Sequence, residues 1–133
     1  MSYYIAKTVD MTLEDAVAAT KDALAKHGFG VLTEIDIQAT MKKKLDLDMG
    51  GYRILGACNP KMASRALAVE NKIGTMLPCN VIVREGEGGQ VEVAAVDPIA
   101  SMQAVENASL EGIAAEVRQM LSDVVAEIGT GSA

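Results

Sequence analysis

The chain has 133 residues and a mass of 13.9 kDa, which fits one domain of ordinary size. Half of the residues are hydrophobic, so the composition excludes an intrinsically disordered protein, and two cysteines are too few to staple a disulfide scaffold. Twelve basic and eighteen acidic residues give a net charge of −6, without the basic stripe and stacking aromatics of a nucleic-acid binder. We therefore expect no nucleic-acid partner.

The sequence also predicts no membrane partner and no export signal. The longest run without a charged residue, 73–83, is interrupted by Gly74 and Pro78 and is shorter than the ~20 residues that cross a bilayer. Residues 1–7 lack the basic start and apolar core of a signal peptide. We therefore predict a cytoplasmic protein with reduced thiols.

The first part of the chain predicts a strand, a helix, a second strand and a short helix. Residues 3–9 form a β-prone run. Thr12 stands where an N-cap belongs, and apolar residues then recur at helical spacing up to the stop at Gly28. Residues 29–37 alternate as a strand with one apolar face, and a short helix over 40–47 follows.

The second part predicts three strands and two helices. The nearly all-apolar run 52–58 is typical of a central strand. The pair Asn59-Pro60 is a helix-start signature, and we expect that helix to run to about residue 72. Strands over 79–85 and 90–96 form a hairpin, and a helix over 110–128 ends the fold.

This order, β-α-β-(α)-β-α-β-β-α, predicts the α+β class. Regular βαβ alternation is absent, which favours a single antiparallel or mostly antiparallel sheet with helices packed on one face. We expect one domain over residues 1–128 and a flexible tail over 129–133, because the tail is small and polar.

A repeated dipeptide is the first candidate site. Cys58-Asn59 and Cys79-Asn80 each stand at a strand boundary, on either side of one predicted helix. If the two strands are antiparallel neighbours, the thiols approach each other near the N-terminus of that helix. If the helix is a parallel crossover, they lie at opposite ends.

The helix N-terminus would stabilise a thiolate, and Lys61 and Arg65 in its first turns would add to the effect. A thiolate attacks disulfides, carries sulfur or binds soft metals. The alternative is that both cysteines are small buried hydrophobes. A metal site is a third alternative, but it lacks ligands: the lone His27 stands at a helix end, where capping is its ordinary role. We expect no metal and no cofactor.

Two acidic residues form the second candidate set. Asp97 precedes Pro98, so we expect it to open a turn or cap a helix. Glu70 either points to solvent or forms a half-buried carboxylate with Arg53 or Arg84 as its partner. No complete catalytic set can be assembled from the single histidine and these spacings, so we assign no catalytic residues.

The segments Tyr52–Pro60 and Leu77–Val83, with Glu70 between them, resemble the family called domain of unknown function 302. Asp97-Pro98 and the amphipathic last helix resemble it as well. The resemblance implies a curved antiparallel sheet in an arrangement like the TATA-binding protein, and a homodimer.

The resemblance also implies that five residues form one constellation. These are Cys58, Asn59, Glu70, Cys79 and Asn80.

Three functions remain open at this stage. The first is a non-enzymatic homodimeric binding module that presents a pocket between sheet and helices to a small ligand or partner. The second is a thiol-dependent redox-sensing or sulfur-transfer protein that uses Cys58 and Cys79. The third is a purely structural interaction domain, whose interface is formed by strand edges or by the helix over 110–128.

Overall fold

The computed structural model describes residues 2–129. Of the predicted tail over 129–133, all but Gly129 lies outside the described residues. In chain order the elements are β1 Tyr4–Val9, α1 Leu13–Lys26, β2 Gly30–Asp36, α2 Ile37–Leu45, β3 Tyr52–Cys58, α3 Pro60–Val69, β4 Cys79–Glu85, β5 Val91–Val96, α4 Pro98–Ser101 and α5 Ala108–Glu127.

The five strands form one sheet in the order β1-β5-β4-β3-β2, and every neighbouring pair is antiparallel. The predicted α+β class with an antiparallel sheet is therefore confirmed. β3 has a neighbour on each side, as its continuous apolar run predicts, while β1 and β2 are the two edges.

One face of the sheet packs against α1 and α5, and α3 packs against α5 at the edge of the same core. Successive side chains of each strand point alternately to this face and to the opposite one. The side chains on the helix-covered face are completely or almost completely buried. Each fully buried Val or Leu contributes about 1.5–3 kcal/mol to folding. The residues at the centre of this core are Leu24, Leu55, Val81, Val83, Val93, Leu121 and Val124.

The helix starts follow the capping signals. The Thr12 hydroxyl accepts a hydrogen bond from the Asp15 N–H at 3.1 Å, and the Asn59 side-chain oxygen accepts one from the Met62 N–H at 3.3 Å. α1 ends just before Gly28, whose φ of 83° suits glycine. The predicted starts of α1 and α3 are thus confirmed.

Three predicted elements, β2, α2 and α3, have other bounds in the structure. β2 stops at Asp36 rather than at residue 37, because the Asp36 carboxylate caps α2 by accepting from the Ala39 N–H at 2.9 Å. α2 therefore covers Ile37–Leu45 instead of 40–47.

α3 ends at Val69 instead of running to about residue 72. Glu70 has an extended backbone there, and the Asn107 side chain donates to the Val69 carbonyl at 2.8 Å. A single 3₁₀ turn over Ile73–Met76 follows.

None of the helices in the described part of the chain combines the length and the apolarity that crossing a bilayer requires.

Candidate functional site

The cysteine motifs lie at one end of the sheet. β3 and β4 are antiparallel neighbours, so Cys58 and Cys79 stand at the same end of the sheet. The register, however, pairs Cys79 with Ala57, one residue before Cys58. The two cysteines are therefore not a directly opposed cross-strand pair. The two cysteines are not close, and the predicted cysteine pair is wrong.

The surroundings of Cys79 disfavour the thiolate, which is the reactive form of a cysteine. It is 7% exposed, and burial raises the pKa of its thiol to about 11, with a smaller contribution from the charge of a Cys58 thiolate. At neutral pH it is a thiol, whereas the thiolate is the reactive species. Arg65, expected to favour a thiolate, forms an ion pair with Glu116 at 2.9 Å instead.

The space between sheet and helices at this end is small. Both cysteines line it, together with Met62 and Met102, and its volume is about 30 Å³. Small-molecule sites usually occupy about 300–1,000 Å³, whereas a water needs only about 10–15 Å³. This cavity accommodates a water or two, and the pocket expected between sheet and helices does not have room for a metabolite.

Three residues of the predicted constellation, Cys58, Asn59 and Cys79, line this cavity, whereas Glu70 and Asn80 lie elsewhere. Asn59 caps the start of α3, while Glu70 follows its last residue, roughly 15 Å away along a helix of this length. Asn80 is exposed and paired in register with Gly56, on the face of the sheet turned away from the core.

The predicted partners of Glu70 are also wrong. Its carboxylate accepts a hydrogen bond from the Asn107 side chain at 3.1 Å. Arg84 instead donates to Glu92 at 2.9 Å. The carboxylates around Arg53 are those of Glu14, Glu34 and Asp36.

Asp97 and His27 have the helix-end roles that the sequence predicts. One Asp97 oxygen accepts from the Ile99 N–H at 2.9 Å and caps α4, and the other accepts from Arg118 at 2.9 Å. His27 is the C-cap residue of α1, and its ring Nε2 lies 2.9 Å from a Glu127 carboxylate oxygen. Within residues 2–129, no three or more His, Cys, Asp or Glu side chains are placed to hold a metal ion.

The face of the sheet turned away from the helices is a surface that the cysteine motifs do not predict. We call it the open face. Its residues follow from strand alternation and the pairing register. They are Tyr4, Ala6, Thr8, Thr33, Ile35, Tyr52, Ile54, Gly56, Asn80, Ile82, Arg84, Glu92, Ala94 and Val96.

An apolar row crosses the middle of the open face. It runs through all five strands, one residue from each, in paired register: Ala6, Ala94, Ile82, Ile54 and Ile35. Sheets that turn one face to solvent usually carry polar residues there. At the edge of the row, Ile35 is 45% exposed, so this face departs from that pattern.

The open face is almost free of charge. Its two charged residues, Arg84 and Glu92, lie opposite each other in register and bind at 2.9 Å. Their charges cancel, whereas the whole chain carries −6. The charged side chains of the described residues therefore lie almost entirely elsewhere.

The three tyrosines of the chain surround a shallow groove of about 550 Å³ on this face. The rings of Tyr3 and Tyr4 meet edge to face, with their centres 5.1 Å apart, and Tyr52 lines the groove with them. Arg84 and Asn80 add polar groups to the lining. Such a lining can stack a planar group and hydrogen-bond its polar atoms.

The signal for this face was present in the sequence. In β3 and β4, one alternation carries the buried residues and the other carries Tyr52, Ile54, Ile82 and Arg84. The strand order, which places these residues side by side, could not be derived from the sequence.

Comparison with known proteins agrees with this fold. The family described as Domain of unknown function DUF302 matches residues 5–128. A crystal structure of an uncharacterized conserved protein DUF302 from Bacillus stearothermophilus is similar, with a TM-score of 0.90 and 24% identity over 96% of this chain and 99% of that chain. At this identity the likeness shows the fold alone, and curated protein sequences give no match. Because the family match spans nearly the whole chain, the protein belongs to the DUF302 family.

Proposed function

We propose that the protein is a non-enzymatic binding module and that the open face is its binding surface. The observation that carries the proposal is the composition of this face: an apolar row, a groove lined by three tyrosines and no net charge. Tyrosine and arginine are enriched where proteins bind partners, and charged residues are depleted at the centre of such surfaces.

Binding fits this face better than catalysis does. Arg84 and Glu92, its two ionisable residues besides the tyrosines, are bound to each other at 2.9 Å. Neither is available as a free acid, base or nucleophile. Both are half-buried, so their remaining hydrogen-bonding groups can orient a bound molecule.

Two occupants are consistent with the proposal. A protein surface suits the apolar row, and the homodimer implied by the family resemblance would use it. A small molecule with a planar group suits the groove, whose volume of about 550 Å³ lies within the usual range for ligand sites. A purely structural interaction domain would use the same face but bind no small molecule. We retain a cytoplasmic location, which the two free cysteines support.

Thiol-dependent redox sensing or sulfur transfer has less support. It needs two cooperating thiols or one thiolate, whereas Cys79 is buried with a pKa raised to about 11 and is not close to Cys58.

The proposal is tested with a panel of planar metabolites, read by thermal shift and by tyrosine emission. A ligand at 100 times its Kd stabilises the protein by about 2.7 kcal/mol. We expect Tyr52→Ala to weaken binding at least about fivefold, since base or ring stacking on one aromatic contributes about 1–3 kcal/mol. Leu67→Ala, which truncates an apolar residue 47% exposed on α3, is the control and should bind as wild type.

Ligand binding that Tyr52→Ala leaves unchanged would contradict the proposed surface. If no ligand responds and wild-type protein also has the mass of a single chain at every concentration, the proposed function itself is wrong.

A further inference from the structure

We infer that the groove on the open face binds a planar nitrogen heterocycle with a hydrogen-bond acceptor and a donor at adjacent positions of one edge, as in the bases of inosine and uridine. The inference rests on the proposed function, because it names the ligand class of the same surface. In this arrangement Arg84 and Glu92 bind the edge of the heterocycle, and its ring lies on the apolar floor beside them.

An aromatic side chain and two charged ones stand side by side in the groove. Tyr52 on β3 pairs in register with Arg84 on β4, and Arg84 pairs with Glu92 on β5. All three line the groove. Directly opposed residues on one face of a sheet have Cβ atoms about 4.5–5.5 Å apart. A single bound ring can therefore reach all three side chains.

The Arg84–Glu92 pair offers donors and an acceptor together. The hydrogen bond that joins the two side chains runs from Arg84 Nε to Glu92 Oε1 at 2.9 Å. That bond leaves the Nη N–H groups of Arg84 and the Oε2 acceptor of Glu92 for a ligand. The two side chains are 41% and 31% exposed, so a molecule in the groove can reach these groups.

This combination fits a neutral edge that carries both kinds of group. A carbonyl oxygen can accept from Arg84 while the adjacent ring N–H donates to Glu92. An anion would bind Arg84 but be repelled by Glu92, and a cation would bind Glu92 but be repelled by Arg84. Arginine donors and carboxylate acceptors are also the side-chain groups with which proteins read the edges of bases.

The floor beside the pair is apolar and suits the face of a ring. Ile82 and Ala94 oppose each other in register and lie two residues from Arg84 and Glu92, about 6.6 Å along the strands. Asn80 lies two residues further along β4 and is exposed, so its amide can hydrogen-bond a polar substituent of the ring, such as a sugar.

Tyr52 and the charged pair have different roles in this site. Stacking on an aromatic side chain tolerates any base, because every base has a π-face. Tyr52 therefore supplies affinity for planar molecules in general. The Arg84–Glu92 pair supplies the choice among them, since a ligand that lacks the donor leaves the Glu92 acceptor without a partner.

Nucleosides that differ by one methyl group test the inference, with Kd measured by isothermal titration calorimetry. Inosine and uridine carry a ring N–H next to a carbonyl, whereas 1-methylinosine and 3-methyluridine carry a methyl group in place of that hydrogen. We expect inosine, uridine or both to bind, and methylation to raise Kd at least about tenfold, since a hydrogen bond to a charged group is lost. Comparing the two nucleosides shows whether the groove takes a bicyclic or a monocyclic ring.

Glu92→Ala links this selectivity to the carboxylate. Methylation should change the Kd of this variant less than about twofold, because the acceptor for the ring N–H is gone. Glu116→Ala is the matched control. It removes the carboxylate of another arginine pair, in which Arg65 on α3 lies 2.9 Å from Glu116 on α5, and it should keep the selectivity of wild type.

The inference is wrong if neither nucleoside binds, if methylation leaves the wild-type Kd unchanged, or if the selectivity survives in Glu92→Ala. The wild-type comparison needs no variant, so it decides the matter even if Glu92→Ala does not fold. Planar ligands that bind without this selectivity but are weakened by Tyr52→Ala would overturn the inference and leave the proposed function standing. Binding that Tyr52→Ala does not weaken would contradict both.

Discussion

At Cys79 a difference of one residue in strand register decides the chemistry. The sequence predicts that two Cys-Asn motifs meet if their strands are antiparallel, and the strands are antiparallel. Since Cys79 lies opposite Ala57 rather than Cys58, its thiol turns into the core. A residue pattern can place two strand ends together, but it does not fix the register between them.

The buried thiol predicts a stability change at alkaline pH. The Cys79 pKa rises from an ordinary value of 9.0 to about 11, so its contribution to stability is complete below pH 9 and lost as pH rises through 11. Each pKa unit corresponds to about 1.4 kcal/mol, which gives a loss of roughly 3 kcal/mol. Urea unfolding of wild type and Cys79→Ala at pH 8.5 and 10.5 measures more than half of this loss, about 2 kcal/mol, and wild type should lose that much more than the variant. Equal losses would contradict the raised pKa.

At the scale of single elements, local capping signals identify helix starts better than helix ends. Thr12 and Asn59 cap α1 and α3 through residues three positions away, so both starts can be predicted from the sequence. The end of α3 depends on Asn107, thirty-eight residues beyond Val69, and no local pattern reveals that contact. Asp36 is a residue type that commonly caps helices, but the apolar alternation of β2 continues to Ile37 and therefore predicts a longer strand.

The cap at Asn59 predicts a measurable loss. Asn59→Ala removes the acceptor for the Met62 N–H and should lower the free energy of unfolding by about 1 kcal/mol. Asn59→Ser supplies another good capping oxygen and should recover most of it. Chemical denaturation followed by circular dichroism compares the three proteins. If Asn59→Ser is as unstable as Asn59→Ala, the contribution of Asn59 is not capping.

The ion pairs of Glu34 fasten edge strand β2 to α1 and predict an acid dependence. The Lys21 ammonium, 2.6 Å away, lowers the Glu34 pKa below 4.5; burial opposes this, and Arg53 assists Lys21. The stabilisation is therefore present above pH 4.5 and lost as pH falls below it. Because the pair is partly exposed, we expect only about 0.5 kcal/mol.

Denaturation of wild type and Glu34→Gln at pH 7 and pH 3 tests this dependence. Wild type should be the more stable protein at pH 7, with the difference gone at pH 3. A difference that persists at pH 3 would mean that Glu34 acts through packing instead of charge.

At the scale of the whole molecule, the sheet order determines where a binding surface can form. The sequence predicts the α+β class and the antiparallel sheet, because hydrophobic alternation and turn residues are local. It does not bring Ile35, Ile54 and Ile82 into one row, since their alignment depends on long-range pairing. The candidate site therefore moves from the cysteine motifs to the open face.

Isoleucine methyl NMR with a soluble paramagnetic probe tests the claim that a bound partner covers the open face. Ile35 on the open face and Ile99 on α4 are matched, at 45% and 46% exposed in the single chain. In concentrated wild-type protein, we predict that the probe broadens Ile99 strongly and Ile35 weakly. Equal broadening of the two methyl signals in wild type would contradict the account.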